Sequence, residues 1–311
     1  MNSNPNSQPP RREIRAYISM LLAMLIIGFS LVFVKIALRH ANVYDVIAHR
    51  FTIGFLSLLL VYARPGFSFP RYRRGDLRML GVITFFFPLL FFTLQTLGLR
   101  YTSALEAGIL SASLPILTLV GATLWLRERN TLLQIAGIVV SVAGIAYIFY
   151  HNGLSFSSGS FKGNVLILLA VMANTIYFLL VRKVNGRFKA LDVTFFTIGA
   201  STVVFNVVAL SIHAAQGNLS NFLQPLRQPE FIGAVLFLGV LSTFYTSFAN
   251  NYALTKISAS QVAVFSNLSP VFSVIGGALI LHERLQAYHI LGGLLVMAGI
   301  MATMWPNAGK R

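Results

Sequence analysis

The sequence predicts an all-α integral membrane protein of ten transmembrane helices, built as two inverted five-helix repeats. Three observations predict this. Apolar runs of about twenty residues recur along the chain, the length needed to cross a bilayer core of about 30 Å at about 1.5 Å per residue. Basic residues divide unevenly between alternate loops. The second half of the chain repeats the first after five spans.

Composition supports the first observation. Hydrophobic residues make up 56% of the chain and charged residues 10%, and the mean hydropathy is +0.73. Soluble domains carry about a quarter charged residues, so a water-soluble surface is excluded and the bilayer is the expected solvent. The formal net charge of +16 would suggest nucleic acid if it lay on one soluble face. Here it is spread through short loops, and no nucleic-acid partner is expected. The absence of cysteine rules out disulfides, thiolate catalysis and Cys-ligated metal.

The elements follow in order. Residues 1–13 form a polar tail. The run at 14–38 is too long for the apolar core of a cleaved signal peptide and reads as a retained helix. Further runs lie at 44–62, 77–98, 104–125 and 132–150, so that 14–150 is the first repeat. The second repeat, 163–305, holds runs at 163–183, 190–213, 231–253, 259–281 and 287–305, and 306–311 is a short tail. Pro88, Pro115 and Pro270 fall inside runs and predict kinks, which membrane helices tolerate.

One set of loops holds Arg11, Arg12 and Arg15, five arginines between 64 and 78, Arg127 and Arg129, the 182–189 cluster, Lys256, Lys310 and Arg311. The other set holds Arg39, Arg100, Lys162, Arg227 and Arg284. The positive-inside rule then puts both termini in the cytoplasm, in a multi-pass protein of the cytoplasmic (inner or plasma) membrane.

Shifted by 155 residues, segment 99–145 overlays 254–300 without a gap. Pro115 meets Pro270, Glu128–Arg129 meets Glu283–Arg284, and Gly121, Gly137 and Gly144 meet Gly276, Gly292 and Gly299. Shifted by 147, Val34 meets Val181 and Asp45–Val46 meets Asp192–Val193. Five is odd, so the two copies enter the membrane in opposite senses. Inverted repeats are the mark of secondary transporters, in which one half takes the shape of the other and opens a site to alternate sides. No G-x-x-x-x-G-K-[ST] loop is present, so no nucleotide is expected to drive the cycle.

Four stretches carry a family resemblance: GFSLVFVKIA (28–37), AHRF (48–51), LPILTLVGATLWLRERNTLLQIAGIVVSVAGI (114–145) and SPVFSVIGGALILHERLQAYHILGGLLVMAGI (269–300). On these the chain resembles the EamA family of the drug/metabolite transporter superfamily, over nearly its whole length. Family members usually have Trp-Gly where this chain has Ile27–Gly28. The resemblance implies ten helices around a central cavity and transport of a small-molecule substrate, often outward, with amino acids a common cargo. It equally admits multidrug or cationic compounds and nucleoside-type metabolites.

Ionisable groups at membrane depth are costly and usually face a cavity or a partner. Lys35, Asp45, Arg50 and Glu106 all fall in the outer half, with Arg50 about 9 Å into its span. They are candidates for charges at an outer gate, or for fixed ion pairs and snorkelling cations. Glu106 within SALEAGILSASLP (103–115) also fits a capping box with Ser103. Its counterpart is Gln261, so the copies differ there by one carboxylate. Glu128 and Glu283 read as helix-end electrostatics with Arg129 and Arg284. Gly137, Gly144, Gly292 and Gly299 read as close helix-packing sites.

Uncharged polar residues deep in the runs are candidates to line a substrate cavity: Gln95, Ser111, Asn174, Tyr177, Asn206, Tyr245, Asn250, Gln261 and Asn267. Each has hydrogen bonding between helices as its alternative role. His49 and His289 are isolated in sequence, and no metal-ligand spacing occurs. No metal or cofactor is expected. A coupling proton and a homodimer are both compatible with the pattern. A membrane enzyme would need a nucleophile with a base, or a metal set, at membrane depth, and no such pattern appears. A scaffold would favour large soluble loops, whereas these loops are short.

Overall fold

The computed structural model describes residues 11–64, 69–70, 72–126, 131–151, 159–183, 190–247, 249 and 268–304. The cavity candidates Asn250, Gln261 and Asn267 and the Glu128–Arg129 turn lie outside them. Among the described residues there is no strand. Seven helical stretches are long and apolar enough to cross a membrane, and three shorter apolar ones bring the total to ten.

The first repeat comprises α1 (Arg11–Leu38), α2 (Val43–Tyr62), α3 (Arg74–Thr84), α4 (Phe91–Leu99), α5 (Ala104–Ser111), α6 (Leu114–Leu126) and α7 (Leu132–His151). The second comprises α8 (Gly159–Lys183), α9 (Ala190–Ala215), α10 (Pro229–Leu236), α11 (Leu268–Ile280) and α12 (Ala287–Met304). Two spans contain wide π-helical turns. Phe85–Leu90 joins α3 to α4 and Phe237–Tyr245 extends α10. Shifted by 155, the first falls within the second, but the first is a kink at Phe87, which leaves helical geometry, and the second is a continuous wide turn.

The three prolines have two local consequences. Pro88 lies in the first π turn, where Phe87 leaves helical geometry at φ −145°, ψ 118°. Pro115 stands in the first turn of α6, where a missing N–H does no harm. The run predicted at 104–125 divides just before it, and Ser113 N bonds Leu110 O in a tightened turn. Pro270 likewise lies in the first turn of α11.

The repeats interleave. The helix α1 packs on α11 and on the second π turn, α2 on α9 and the same turn, α4 and α6 on α8, α5 on α11, and α7 on α12. Where both counterparts are described, exchanging the repeats keeps the neighbours: α1 on α11 mirrors α6 on α8, and α2 on α9 and α7 on α12 pair with their own counterparts, as an inverted repeat requires. The pairing of α7 with α12 is glycine-lined. A Cβ on Gly144 would come within 2.8 Å of Gly292 O, and one on Gly292 within 2.5 Å of Ile148 Cγ1. Such contacts let backbones approach in a medium that offers no hydrophobic drive between helices.

Candidate functional site

Three polar clusters tie one repeat to the other, all toward the end of the bundle with fewer basic residues. The first centres on Glu106. Ser103 is the N-cap of α5, and its Oγ accepts from Glu106 N at 3.0 Å. The Glu106 carboxylate is buried. Asn164 of α8 donates to its Oε2 at 2.8 Å, and the Thr102 hydroxyl lies 3.0 Å from the same oxygen. Thr102 Oγ1 also lies 2.5 Å from Asn164 Oδ1, so one hydroxyl proton faces two acceptors. On the other side, His289 of α12 stands with Nε2 3.4 Å from Glu106 Oε1. Gln286 N donates to His289 Nδ1, which leaves the ring proton on Nε2, pointing at the carboxylate.

Glu283 completes this cluster. Its two oxygens accept from Ala104 N and Leu105 N, each at 2.9 Å. The helix end it serves therefore belongs to α5, in the other repeat. His282, at φ 54°, turns the chain back after α11, and Glu283 N bonds Gly277 O. A carboxylate at exposed N–H groups is also favoured by the helix dipole. Lys35 reaches the same place from α1, donating to Thr102 O at 2.6 Å.

The second cluster joins α2 to α9. Asp45 caps nothing by itself. It is held by Asn42, whose side chain accepts from Asp45 N and donates to Asp45 Oδ2 at 2.7 Å. His213 places Nε2 3.0 Å from both carboxylate oxygens, and both residues are buried. One turn further along α2, His49 donates from Nε2 to Phe222 O at 2.9 Å and stacks on the Phe222 ring. The short helical turns at Leu219–Phe222 and Gln224–Arg227 thus close over this end of α2. Removing either member leaves the other buried without its partner, so Asp45→Asn and His213→Gln should be non-additive. A double-mutant cycle on unfolding in detergent should return a coupling on the order of 1 kcal/mol or more.

The third cluster is Arg50, seven residues into α2 and about 10 Å from its start. It is 3% exposed. Nε donates to Thr243 Oγ1 at 3.0 Å and Nη2 to Ser242 Oγ at 3.1 Å. Both acceptors belong to the second π turn. The guanidinium carbon sits 4.2 Å from the centre of the Phe92 ring, a cation–π distance. Nη1 is buried with no hydrogen-bond partner. No carboxylate pairs with Arg50 among the described residues.

Of the four charges expected near one gate, Lys35 and Glu106 meet at Thr102, whereas Asp45 and Arg50 have separate partners. The uncharged candidates also have defined places. Asn206 of α9 donates to Thr52 Oγ1 of α2 at 2.8 Å, a bond between repeats. Tyr177 packs its ring 4.8 Å from Phe87. Gln95 is buried on α4, Asn174 half-buried on α8, and Ser111 donates to Ala107 O within α5. Tyr245 Oη lies 3.5 Å from Ser19 Oγ. Sequence reasoning missed His213, Asn164, Ser242 and Thr243 and left His289 isolated. Each meets its partner only through contacts more than fifty residues apart along the chain. Glu283 alone carried a signal, its recurrence in both repeats.

Fixed polar bridges that all cross the repeat boundary can hold two halves together at one end, and can be exchanged when the halves move. Comparison with known proteins gives the family. The model of the "EamA-like transporter family" matches twice, over residues 14–150 and 161–305. An "Uncharacterized transporter YcxC" of Bacillus subtilis is 39% identical over 292 residues, covering 94% of this chain and 93% of its own. An "Uncharacterized transporter" of Archaeoglobus fulgidus is 26% identical, covering 93% and 97%. A solved crystal structure at 16% identity shares the fold with a TM-score of 0.62, over 94% of this chain and 98% of the other. Both five-helix halves match the family model and the interleaved packing fits it, so this chain belongs to the EamA-like transporter family.

Proposed function

We propose that this transporter is an exporter of small organic metabolites, amino acids among them, working by alternating access of its two repeats. The observation that carries the reading is the set of bridges at one end: Asp45 to His213, Glu106 to Asn164 and His289, and Glu283 to the start of α5. All three join first-repeat to second-repeat elements. In an alternating-access cycle this is the closed end, and opening requires these bridges to part. The charge bias of the loops supports placing this end outside and both termini in the cytoplasm.

Proton or substrate antiport would supply the drive, and Glu106 is the group through which a proton would act. Thr102 has one hydroxyl proton for Glu106 and Asn164. A proton loaded on Glu106 Oε2 would turn that acceptor into a donor and free the Thr102 hydroxyl for Asn164. Protonation would thus change the bonding that holds the closed end.

The test is counterflow in proteoliposomes across a panel of amino acids, nucleosides, polyamines and aromatic ions, with and without an inward proton gradient. Labelled cargo should accumulate transiently above empty-liposome controls and respond to the gradient. If no cargo moves faster than in empty liposomes under either condition, the transporter reading of this purified chain fails.

A further inference from the structure

Asp45 and Glu106 each have a histidine partner, whereas Arg50 has no countercharge among the described residues. An unpaired buried charge costs several kcal/mol even after relaxation. A fold meets that cost where a ligand repays it, or where hydroxyls and an aromatic face soften it. Here the softening is partial. Ser242 and Thr243 engage Nε and Nη2, Phe92 covers one face, and Nη1 remains empty.

The surroundings hold the guanidinium in place. Thr243 spends its own proton on Leu238 O, five residues back in the π turn, so its oxygen is left to receive Nε. Gly239 and Gly54 let this turn lie directly on α2: a Cβ on Gly239 would come within 2.9 Å of Arg50 O, and one on Gly54 within 3.1 Å of Thr243 Cγ2. The result is a fixed planar fork with Nη1 free. The edge left open is Nη1 together with the second N–H of Nη2, and a carboxylate, which takes two parallel N–H bonds, matches it better than a neutral amide or an alcohol. Beside it runs an aromatic strip. Phe92 lies 5.4 Å from Phe87, and Phe87 4.8 Å from Tyr177. This strip spans from α4 to α8, across the repeat boundary.

We infer that Arg50 is the anion-binding anchor of the substrate site, and that the cargo carries a carboxylate on an apolar, aromatic-compatible body. This rests on the transporter reading, and names the substrate class for it. In the arrangement described here Arg50 is shut in. The cargo would reach it when Phe92 of α4 moves off the guanidinium, with Ser242 and Thr243 still holding Nη2 and Nε, and its carboxylate would take the place of the ring.

The experiment uses the purified full chain in detergent, with 3-phenylpropionate, its amide, 3-phenylpropylamine and sodium chloride as probes. Binding is read by calorimetry and by the shift in melting temperature. The carboxylate should bind at least about tenfold more tightly than the amide or the amine, as charge-assisted bidentate bonds predict. Chloride should give no matching shift. Arg50→Gln should lose that preference, and Arg50→Lys should keep only part of it because the fork is gone. Equal binding of amine or amide, a chloride shift equal to that of the carboxylate, or no binding of the carboxylate overturns the assignment. The wild-type series decides the matter if Arg50→Gln does not yield monodisperse protein. Labelled 3-phenylpropionate in counterflow separates the two readings. Arg50-dependent binding without any transport overturns the transporter function and leaves the site. Transport of other cargo with no carboxylate binding overturns the site and leaves the transporter.

Discussion

Glu106→Ala should lower the stability of the purified protein by about 3 kcal/mol, because each buried polar group left unpaired costs about 1–3 kcal/mol. The change takes acceptors from the Asn164 amide and the His289 ring, and an acceptor from Thr102. Asn164 is fully buried and His289 is 5% exposed, so water cannot easily replace the lost bonds. Thr102 keeps Asn164 Oδ1 as an acceptor, so two donors rather than three are left unpaired. The Ser103 cap and the Glu283 carboxylate remain to satisfy the start of α5, which keeps the helix itself in place. The measurement is thermal unfolding in detergent beside the wild type. An unchanged melting point would show that the network does not hold this end together.

Glu106→Gln separates charge from bonding. One carboxylate oxygen faces the His289 N–H and the other faces the Asn164 N–H. A glutamine has one oxygen and one NH₂, so one of these two donors must meet another donor. Stability should fall less than in the alanine variant. If transport responds to a proton gradient through this carboxylate, the response should vanish in Glu106→Gln while binding of cargo survives. Gradient-driven transport at the wild-type level would leave Glu106 as a tie between repeats and a helix-end residue.

Gly299→Leu should be the most damaging substitution between α7 and α12. A Cβ there would overlap Ser141 Oγ and Gly137 O. Ser141 also donates to Val296 O at 3.0 Å across the same crossing. Forcing a side chain between two backbones in contact costs about 1–3 kcal/mol from overpacking and can cost more where neither backbone can shift. The loss of the Ser141 bond adds to this. Gly81→Ala is the control. Its Cβ would meet nothing within 4 Å, it lies inside α3, and alanine should gain up to about 1 kcal/mol in helix propensity. Gel filtration and melting of the two variants should diverge in opposite directions. Equal behaviour would mean that the close crossing is not needed for the fold.

The two glycine positions show what was legible. Gly137, Gly144, Gly292 and Gly299 could be paired by sequence because they recur at one offset, and the chain then packs α7 on α12 through them. The spans were legible because each is a local property: every backbone N–H and C=O in the bilayer must be satisfied within its own helix. The kink at Phe85–Leu90 was legible through Pro88, whereas the π turn at Phe237–Tyr245, which holds no proline, was not, since it has the hydropathy of ordinary helix. His289 shows the other limit. As a lone histidine in an apolar run it gave no sign of a partner, and the partner is Glu106, 183 residues earlier.

The sequence by itself determined the number of spans, their repeat, their odd count per copy and the family. These follow from hydrophobic length and internal similarity, which are written residue by residue. Only the tertiary structure decided which polar groups meet. Asp45 finds His213, Glu283 finds the start of α5, and Arg50 finds Ser242 and Thr243 while keeping one nitrogen free. The reason is physical. A buried charge is fixed by whatever lies beside it, and in an interleaved bundle the neighbour comes from the opposite repeat, at a distance along the chain that no local pattern records.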